Sequence, residues 1–213
     1  MSKIKWKGGA LTAPVPPVLV TCSDGERDNV FTVAWTGILN TKPPKTYISV
    51  RPERFSYDII KKSGCFAVNL TTENLLFAAD FCGVRSGREL DKFEYCGLQK
   101  EKAQKIDCPI LAQSPLSLEC RVEKIVPLGT HDMFIADIVA TDADESLVDS
   151  LGKLHLDKAG LLAYAHGEYF ALGRKLGSFG MSVRKKSRSA HAKTREKSKA
   201  GTPKSKVHKK VTN

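Results

Sequence analysis

Four stretches of this sequence carry residue types that suit ligand chemistry. The first is NVFTVAWTG, residues 29–37. Alternation puts Phe31, Val33 and Trp35 on one face of a strand and Val30, Thr32, Ala34 and Thr36 on the other. Neither face carries a charge, and the second face is small enough for something other than water to lie close against it. The second is SVRPERFSYD, residues 49–58, where Arg51 and Arg54 flank a helix start that also offers the hydroxyls of Ser56 and Tyr57. Helix N-termini present unpaired N–H groups and partial positive charge, which suits a phosphate. The same residues also fit a capped helix with two solvated arginines. The third is CGVRSGRELDKF, residues 82–93. Gly87 permits close backbone approach, and Ser86, Arg88 and Lys92 suit an anion, although Glu89 and Asp91 are equally placed to pair with those bases. The fourth is His131, at the tip of a predicted hairpin, where a histidine is either solvated or faces a ligand that reaches the tip.

The elements that must position these residues read as mostly β. Strands are predicted over 18–22 and 30–35, joined by SDGERDN, and over 47–50 after the Pro43-Pro44 break. ERFSYDIIKKSG reads as a short helix with Phe55, Ile59 and Ile60 on one face and Gly64 as its stop. Residues 65–70 read as a strand. Thr72 can cap a helix over 73–81 with Leu75, Leu76 and Ala79 as its stripe. PLSLECRVEKIV alternates Leu116, Leu118, Cys120 and Val122 against Ser117, Glu119, Arg121 and Glu123. MFIADIVATDAD is its expected antiparallel partner across the short PLGTHD connection. Many short strands and few helices predict a barrel or sandwich. No G-x-G-x-x-G follows a strand and there is no P-loop, which argues against a Rossmann nucleotide domain.

The net charge of +11 belongs to one end of the chain. Residues 184–213 hold twelve of the 34 Lys and Arg residues and one of the 23 acidic residues, leaving 22 of each sign in residues 1–183. The basic excess is therefore no sign that the folded body binds nucleic acid. The tail has too few apolar residues to offset ordering entropy and is predicted to be a disordered extension of a single domain over 1–183. The prolines of the N-terminal stretch interrupt any signal-peptide core, and no apolar run is long enough for a membrane helix. The six cysteines show neither C-x-x-C nor zinc spacing, so free buried thiols in a reducing cytosol are expected.

DNVFTVAWTGILNTKPP, SVRPERFSYDIIKKSGCFAVNL and SGRELDKF, in this order and spacing, resemble the flavin reductase-like, FMN-binding split-barrel proteins, with the flavoredoxin branch nearest. HGEYFALGRKLGSFGMSV resembles that branch's C-terminal end, so the resemblance covers about residues 14–183 and omits the tail. It implies a mainly β, Greek-key split β-barrel with flanking helices, a homodimer, and FMN as cofactor. Carried onto this chain, it places Asn29 and Trp35 at the flavin, with backbone groups around Thr32, Ala34 and Thr36 on the ring's polar rim. Ser56 and Lys92 match ligand contacts. Arg51, Ser86 and Arg88 stand where phosphate or ribityl contacts fall, His131 where a histidine meets the flavin, and Tyr164 where an aromatic stacks on the ring.

The function implied is cytosolic flavin redox chemistry, in which the cofactor itself carries the reaction and no catalytic triad or metal set is needed. Two versions stand: an oxidoreductase of flavin reductase type taking electrons from NADH or NADPH, and an FMN carrier shuttling electrons between redox proteins. A non-catalytic module that uses its tail is a third. The tail suits a polyanion or an acidic partner.

Overall fold

The computed structural model describes residues 1–184. The chain divides into two units, Met1–Gly173 and Arg174–Asn213. The described part of the second unit, residues 174–184, is irregular chain ending in a turn, within which Arg184 donates to Ser178 Oγ at 3.3 Å. The disorder expected over 184–213 falls, beyond Arg184, outside the described residues.

The first unit is built on one antiparallel sheet. Its strands are β1 (Val18–Ser23), β2 (Asp28–Val33), β3 (Thr36–Thr41), β4 (Pro44–Val50) and β5 (Cys65–Asn69), followed after short β6 (Lys100–Lys102) and β7 (Pro109–Leu111) by long β8 (Leu116–Pro127) and β9 (Asp132–Ala143). The order across the seven-stranded sheet is β2-β1-β5-β8-β9-β4-β3, while β6 and β7 pair with each other. A separate hairpin, β10 (Leu162–Ala165) and β11 (Glu168–Ala171), ends the unit. Helices α1 (Phe55–Ser63), α2 (Leu76–Val84) and α3 (Lys92–Cys96) flank the sheet.

Strands β2 and β3 are neighbours in sequence yet lie at opposite edges of the sheet. From Val33 to Thr36 the chain spans at most about 11 Å. The sheet therefore curls until its edges nearly meet, leaving a seam at Ala34 and Trp35, with Trp35 O accepting Ser49 N–H of β4 at 2.9 Å. The expected strand over 30–35 is thus cut short at Val33, and the chain starts a second strand, β3, that alternation did not predict.

Inside the curl lie Val18, Val20, Phe31, Val33, Ile48, Val50, Phe66, Val68 and Phe134, closed at one end by Tyr57, Ile59 and Ile60 of α1. Gly64 ends α1 in the left-handed region (φ 69°), as its position predicted. Outside, α2 and α3 cover Leu19 and Val30 through Leu75, Ala78, Cys82 and Phe93. Residues 73–75 form a 3-10 turn before α2; of the expected stripe Leu75 and Ala79 are buried and Leu76 is exposed, and Ala78 and Cys82 are buried as well. All six cysteines are free thiols, five of them buried. No helix among the described residues is long and apolar enough to cross a membrane.

Candidate functional site

The seam opens into a groove with two lobes. The first, about 330 Å³, is lined by Thr32, Ala34 and Trp35 from the seam, by Arg51, Arg54 and His131, and by Tyr164 and Tyr169 of the last hairpin. The second, about 430 Å³, is lined by Asn29, Ser56, Ser86, Gly87, Arg88 and Lys92. Phe31, Arg51, Arg54 and Val84 line both, so the lobes adjoin. Their sizes fall at the lower end of small-ligand sites.

The second lobe is an anion cradle. Its floor is the start of α1, where Ser56 is buried and accepts a 2.6 Å hydrogen bond from Asn29 Nδ2. Lys92 is only 3 % exposed. Asp91 caps α3 by accepting the N–H groups of Phe93 and Glu94, and this cap aims the next side chain inward. Lys92 Nζ donates to the carbonyls of Cys82 and Arg85, each at 3.3 Å, and among the described residues no carboxylate pairs with it. Burial pushes its pKa down from the usual lysine value, so an anion in the lobe would relieve a charge now held by carbonyl dipoles alone. Arg88 lies over the Phe55 ring at 5.3 Å, and Arg54 donates to Gly83 O at 2.9 Å. A Cβ on Gly87 would collide with Asn29 Oδ1 and lie 2.7 Å from Phe55 Cδ1. The loop can approach this floor only as glycine.

The first lobe is an aromatic slot. On one side Trp35, 44 % exposed, meets His131 at 4.4 Å between ring centroids. His131 follows the β8–β9 tip, where Leu128 N–H bonds its carbonyl, and its Nδ1 lies 3.0 Å from Thr130 Oγ1. Partial burial, then the nearby Arg51 charge, lower its pKa, which favours a neutral ring at neutral pH. On the other side Tyr164 is fixed by two backbone bonds to Val15 and meets Tyr169 edge-on at 5.2 Å. Tyr169 donates to Asp80 of α2 at 3.3 Å, and burial with that carboxylate pushes its phenol up to about 12.

Eleven of the twelve candidate residues from the sequence line one lobe or the other. Thr36 does not. It lines a smaller cavity of about 240 Å³ behind Ala34 and Trp35, and its hydroxyl donates to Tyr47 O at 2.6 Å. Thr32 lines the first lobe, but its hydroxyl is taken by Ala79 O at 2.5 Å, so the small face of β2 also serves to seat α2. Tyr57 turns away from the groove and donates to Asp132 Oδ2 at 2.6 Å, bracing the base of the β8–β9 hairpin. Sequence reasoning passed over Asp80, Val84 and Tyr169. The sole local signal for Tyr169 is the His166-Gly167 turn, both residues at positive φ, which sets it opposite Tyr164.

A basic cradle beside an aromatic slot has the chemistry that would suit a planar, phosphorylated ligand. The chain belongs to the flavin reductase-like family, whose domain model matches residues 11–173. Its architecture is the mainly β split barrel of that family. A flavoredoxin of Desulfovibrio vulgaris (Miyazaki F) superposes with a TM-score of 0.80 at 27 % identity, over 86 % of this chain and all of that one. An FMN-binding protein of Thermus thermophilus, solved with 1-cyclohex-2-enone, superposes at 0.72 with 26 % identity, over 84 % of this chain and 99 % of that one. An NADPH-flavin oxidoreductase of Streptomyces viridifaciens is 26 % identical over 67 % of this chain and 74 % of its own length. The chain spans about half (49 %) of the length of an uncharacterized Aeropyrum pernix relative, 31 % identical over 128 residues and 60 % of this chain.

Proposed function

We propose that this chain holds FMN in the two-lobed groove and works as an oxidoreductase of flavin reductase type, with NADH or NADPH as electron donor. The observation that carries the reading is that a buried-lysine cradle adjoins an aromatic slot, with Arg51 and Arg54 lining both. FMN, when bound, supplies the two-electron chemistry. Lys92 and Arg88 neutralise its phosphate, Ser86 and Ser56 offer hydroxyls, and Gly87 lets the loop backbone come close. Asn29 spans from Ser56 toward the ring, with Thr32 and Ala34 on the ring's rim. Trp35, His131 and Tyr164 shield the ring from water while leaving an open side for the donor. The name of the Streptomyces relative supports the pyridine-nucleotide version.

A second reading, an FMN carrier serving redox proteins, is favoured by the likeness to flavoredoxin and by the exposure of Trp35 at the seam. Stopped-flow mixing of the oxidised holoprotein with NADH and with NADPH separates the two. The reductase reading expects rapid bleaching of the flavin band by at least one of them. No bleaching by either, with reduction by a protein or thiol donor, would leave the carrier.

Three expected outcomes follow from the placement of residues. Trp35→Ala should weaken FMN binding roughly two- to tenfold, the worth of one aromatic contact. The apoprotein should melt unchanged, since Trp35 lies outside the core; equal FMN affinity in the two proteins would remove Trp35 from the site. His131→Gln should leave FMN bound and shift its midpoint potential. Because the His131 pKa is lowered, the difference should widen as pH falls from about 8 to about 5, where the ring takes up its proton. A constant difference across that range would mean that no titrating group is involved. The third concerns residues 184–213, which we read as separate from the domain. Truncation after Val183 should leave FMN content and thermal midpoint unchanged. It should slow reaction with an acidic redox partner at low salt and lose that effect at high salt, where the Debye length shrinks below about 10 Å. We read the assembly as a homodimer, with Ile38 and Leu39, exposed on edge strand β3, available to a second copy.

A further inference from the structure

The β10–β11 hairpin walls the aromatic slot but is no part of the seven-stranded sheet. Its first strand is fastened through the backbone. Leu162 N–H donates to Thr71 O at 3.0 Å, and Tyr164 exchanges two backbone bonds with Val15, at 2.8 and 2.9 Å. Strand β11 has no such fastening. Apart from its ladder with β10, its one hydrogen bond among the described residues runs from the Tyr169 hydroxyl to Asp80 Oδ1 of α2. The register sets Tyr169 directly opposite Tyr164, so their rings share one face and meet at 5.2 Å. Asp80 is a firm anchor, because its neighbours on α2 are tied down: Ala79 O accepts the Thr32 hydroxyl, and Gly83 O accepts Arg54 at 2.9 Å. Among the described residues Asp80 is also the only acidic group lining the first lobe. Burial, then the Asp80 charge, push the Tyr169 phenol up to about 12, so it stays protonated and able to donate across the neutral range. At 3.3 Å the bond is long for a hydroxyl donor, so it holds the strand without locking it.

We propose that Tyr169 and Asp80 are positioning residues: their bond latches β11 to α2, fixes the Tyr169 ring against that of Tyr164, and so sets how long a planar ring stays in the slot. The inference rests on the FMN reading of the groove and adds to it a latch on the ring end. With the bond made, the hairpin is held at β10 by the backbone and at β11 by a side chain. With it broken, β11 is tied only to β10, and the slot wall loosens on that side. The cradle keeps its own bonds, since Lys92 donates to Cys82 O and Arg85 O and neither contact involves the hairpin. The latch therefore acts on the ring and not on the phosphate. Its removal should speed the dissociation of FMN and of riboflavin by the same factor, roughly two- to tenfold, the worth of one hydrogen bond. Association should not slow, because a loosened wall blocks nothing.

Two measurements on the full chain test this, with Tyr169→Phe, Asp80→Leu and Asp80→Asn, each first shown folded by circular dichroism. The first is amide hydrogen exchange of the flavin-free protein. Tyr169→Phe and Asp80→Leu should speed exchange in the 162–171 peptide and leave the seven-stranded sheet unchanged. Asp80→Asn, whose amide oxygen still accepts the phenol, should behave like the parent. The second is the dissociation rate of FMN and of riboflavin, which should rise equally in Tyr169→Phe and Asp80→Leu, with the double variant no faster than either single one. Unchanged exchange in the hairpin, a faster loss of FMN that riboflavin does not share, or an asparagine variant as impaired as the leucine variant would overturn the latch. A parent chain that takes up neither flavin overturns the reading of the groove and with it any role toward the ring; that failure shows in the parent, whereas failure of the latch shows only in the variants.

Discussion

Lys92→Met should lower FMN affinity roughly ten- to a hundredfold while riboflavin affinity changes far less, the worth of a charge-assisted hydrogen bond of about 1.5–3 kcal/mol. The argument rests on the burial of the ammonium group and on its partners, two carbonyl oxygens at 3.3 Å. A buried cation with no carboxylate beside it is costly in the free protein, and a phosphate offsets that cost. The same burial has a consequence for stability. A lysine pKa lowered in the folded state means that, between the lowered value and the ordinary one near 10.5, the unfolded chain binds more protons. Stability should therefore rise with pH across that window, and at neutral pH the burial cost is present in full. The methionine variant should lose this rise, and as apoprotein it should melt no lower than the parent. Equal losses for FMN and riboflavin would move Lys92 from the phosphate to the ring. A lower melting point for the variant would show that the lysine is a structural prop.

Phe31→Ala should destabilise the fold by about 3–5 kcal/mol, the cost of removing a buried aromatic ring. Phe31 is 4 % exposed, faces into the curl beside Val20 and Val33, and also forms the wall shared by the two lobes. The variant is thus expected to fail twice, in core packing and in the groove. Saturating FMN at about a hundred times its Kd would return at most about 2.7 kcal/mol, and less if the ring's loss weakens binding. Urea unfolding with and without FMN reads both quantities. A destabilisation below about 1 kcal/mol would mean that the wall is plastic and that Phe31 does not set the lobes.

What the sequence revealed and what it hid have physical reasons. The β8–β9 hairpin was legible because its two strands alternate over many residues and meet at Gly129, and the observed register pairs Leu116 with Ala143 and Pro127 with Asp132. Within it, Glu119 stands on the face opposite Leu118 and Cys120, with Arg121 and Glu123. It is buried because two loop amides reach it, a contact made from sequence positions fifteen and fourteen residues away. Strand β3 stayed hidden because an edge strand with both faces largely exposed needs no alternation. Helix α3 is five residues long and owes its existence to the Asp91 cap, a signal too short for periodicity. The basic half of the groove was legible as clustered Arg, Lys and Ser around Gly87. The Tyr169–Asp80 wall was not, because β11 and α2 meet only through the curl of the chain.

The central claim is that the two lobes together form an FMN site. It is tested most directly by adding FMN to the flavin-free chain and following the quenching of flavin fluorescence, with the Lys92→Met protein alongside. The account predicts saturation at one FMN per chain, a yellow protein after gel filtration, and release of FMN on denaturation, with weaker binding in the variant. A parent chain that stays colourless after incubation with excess FMN, while folded by circular dichroism, would contradict it.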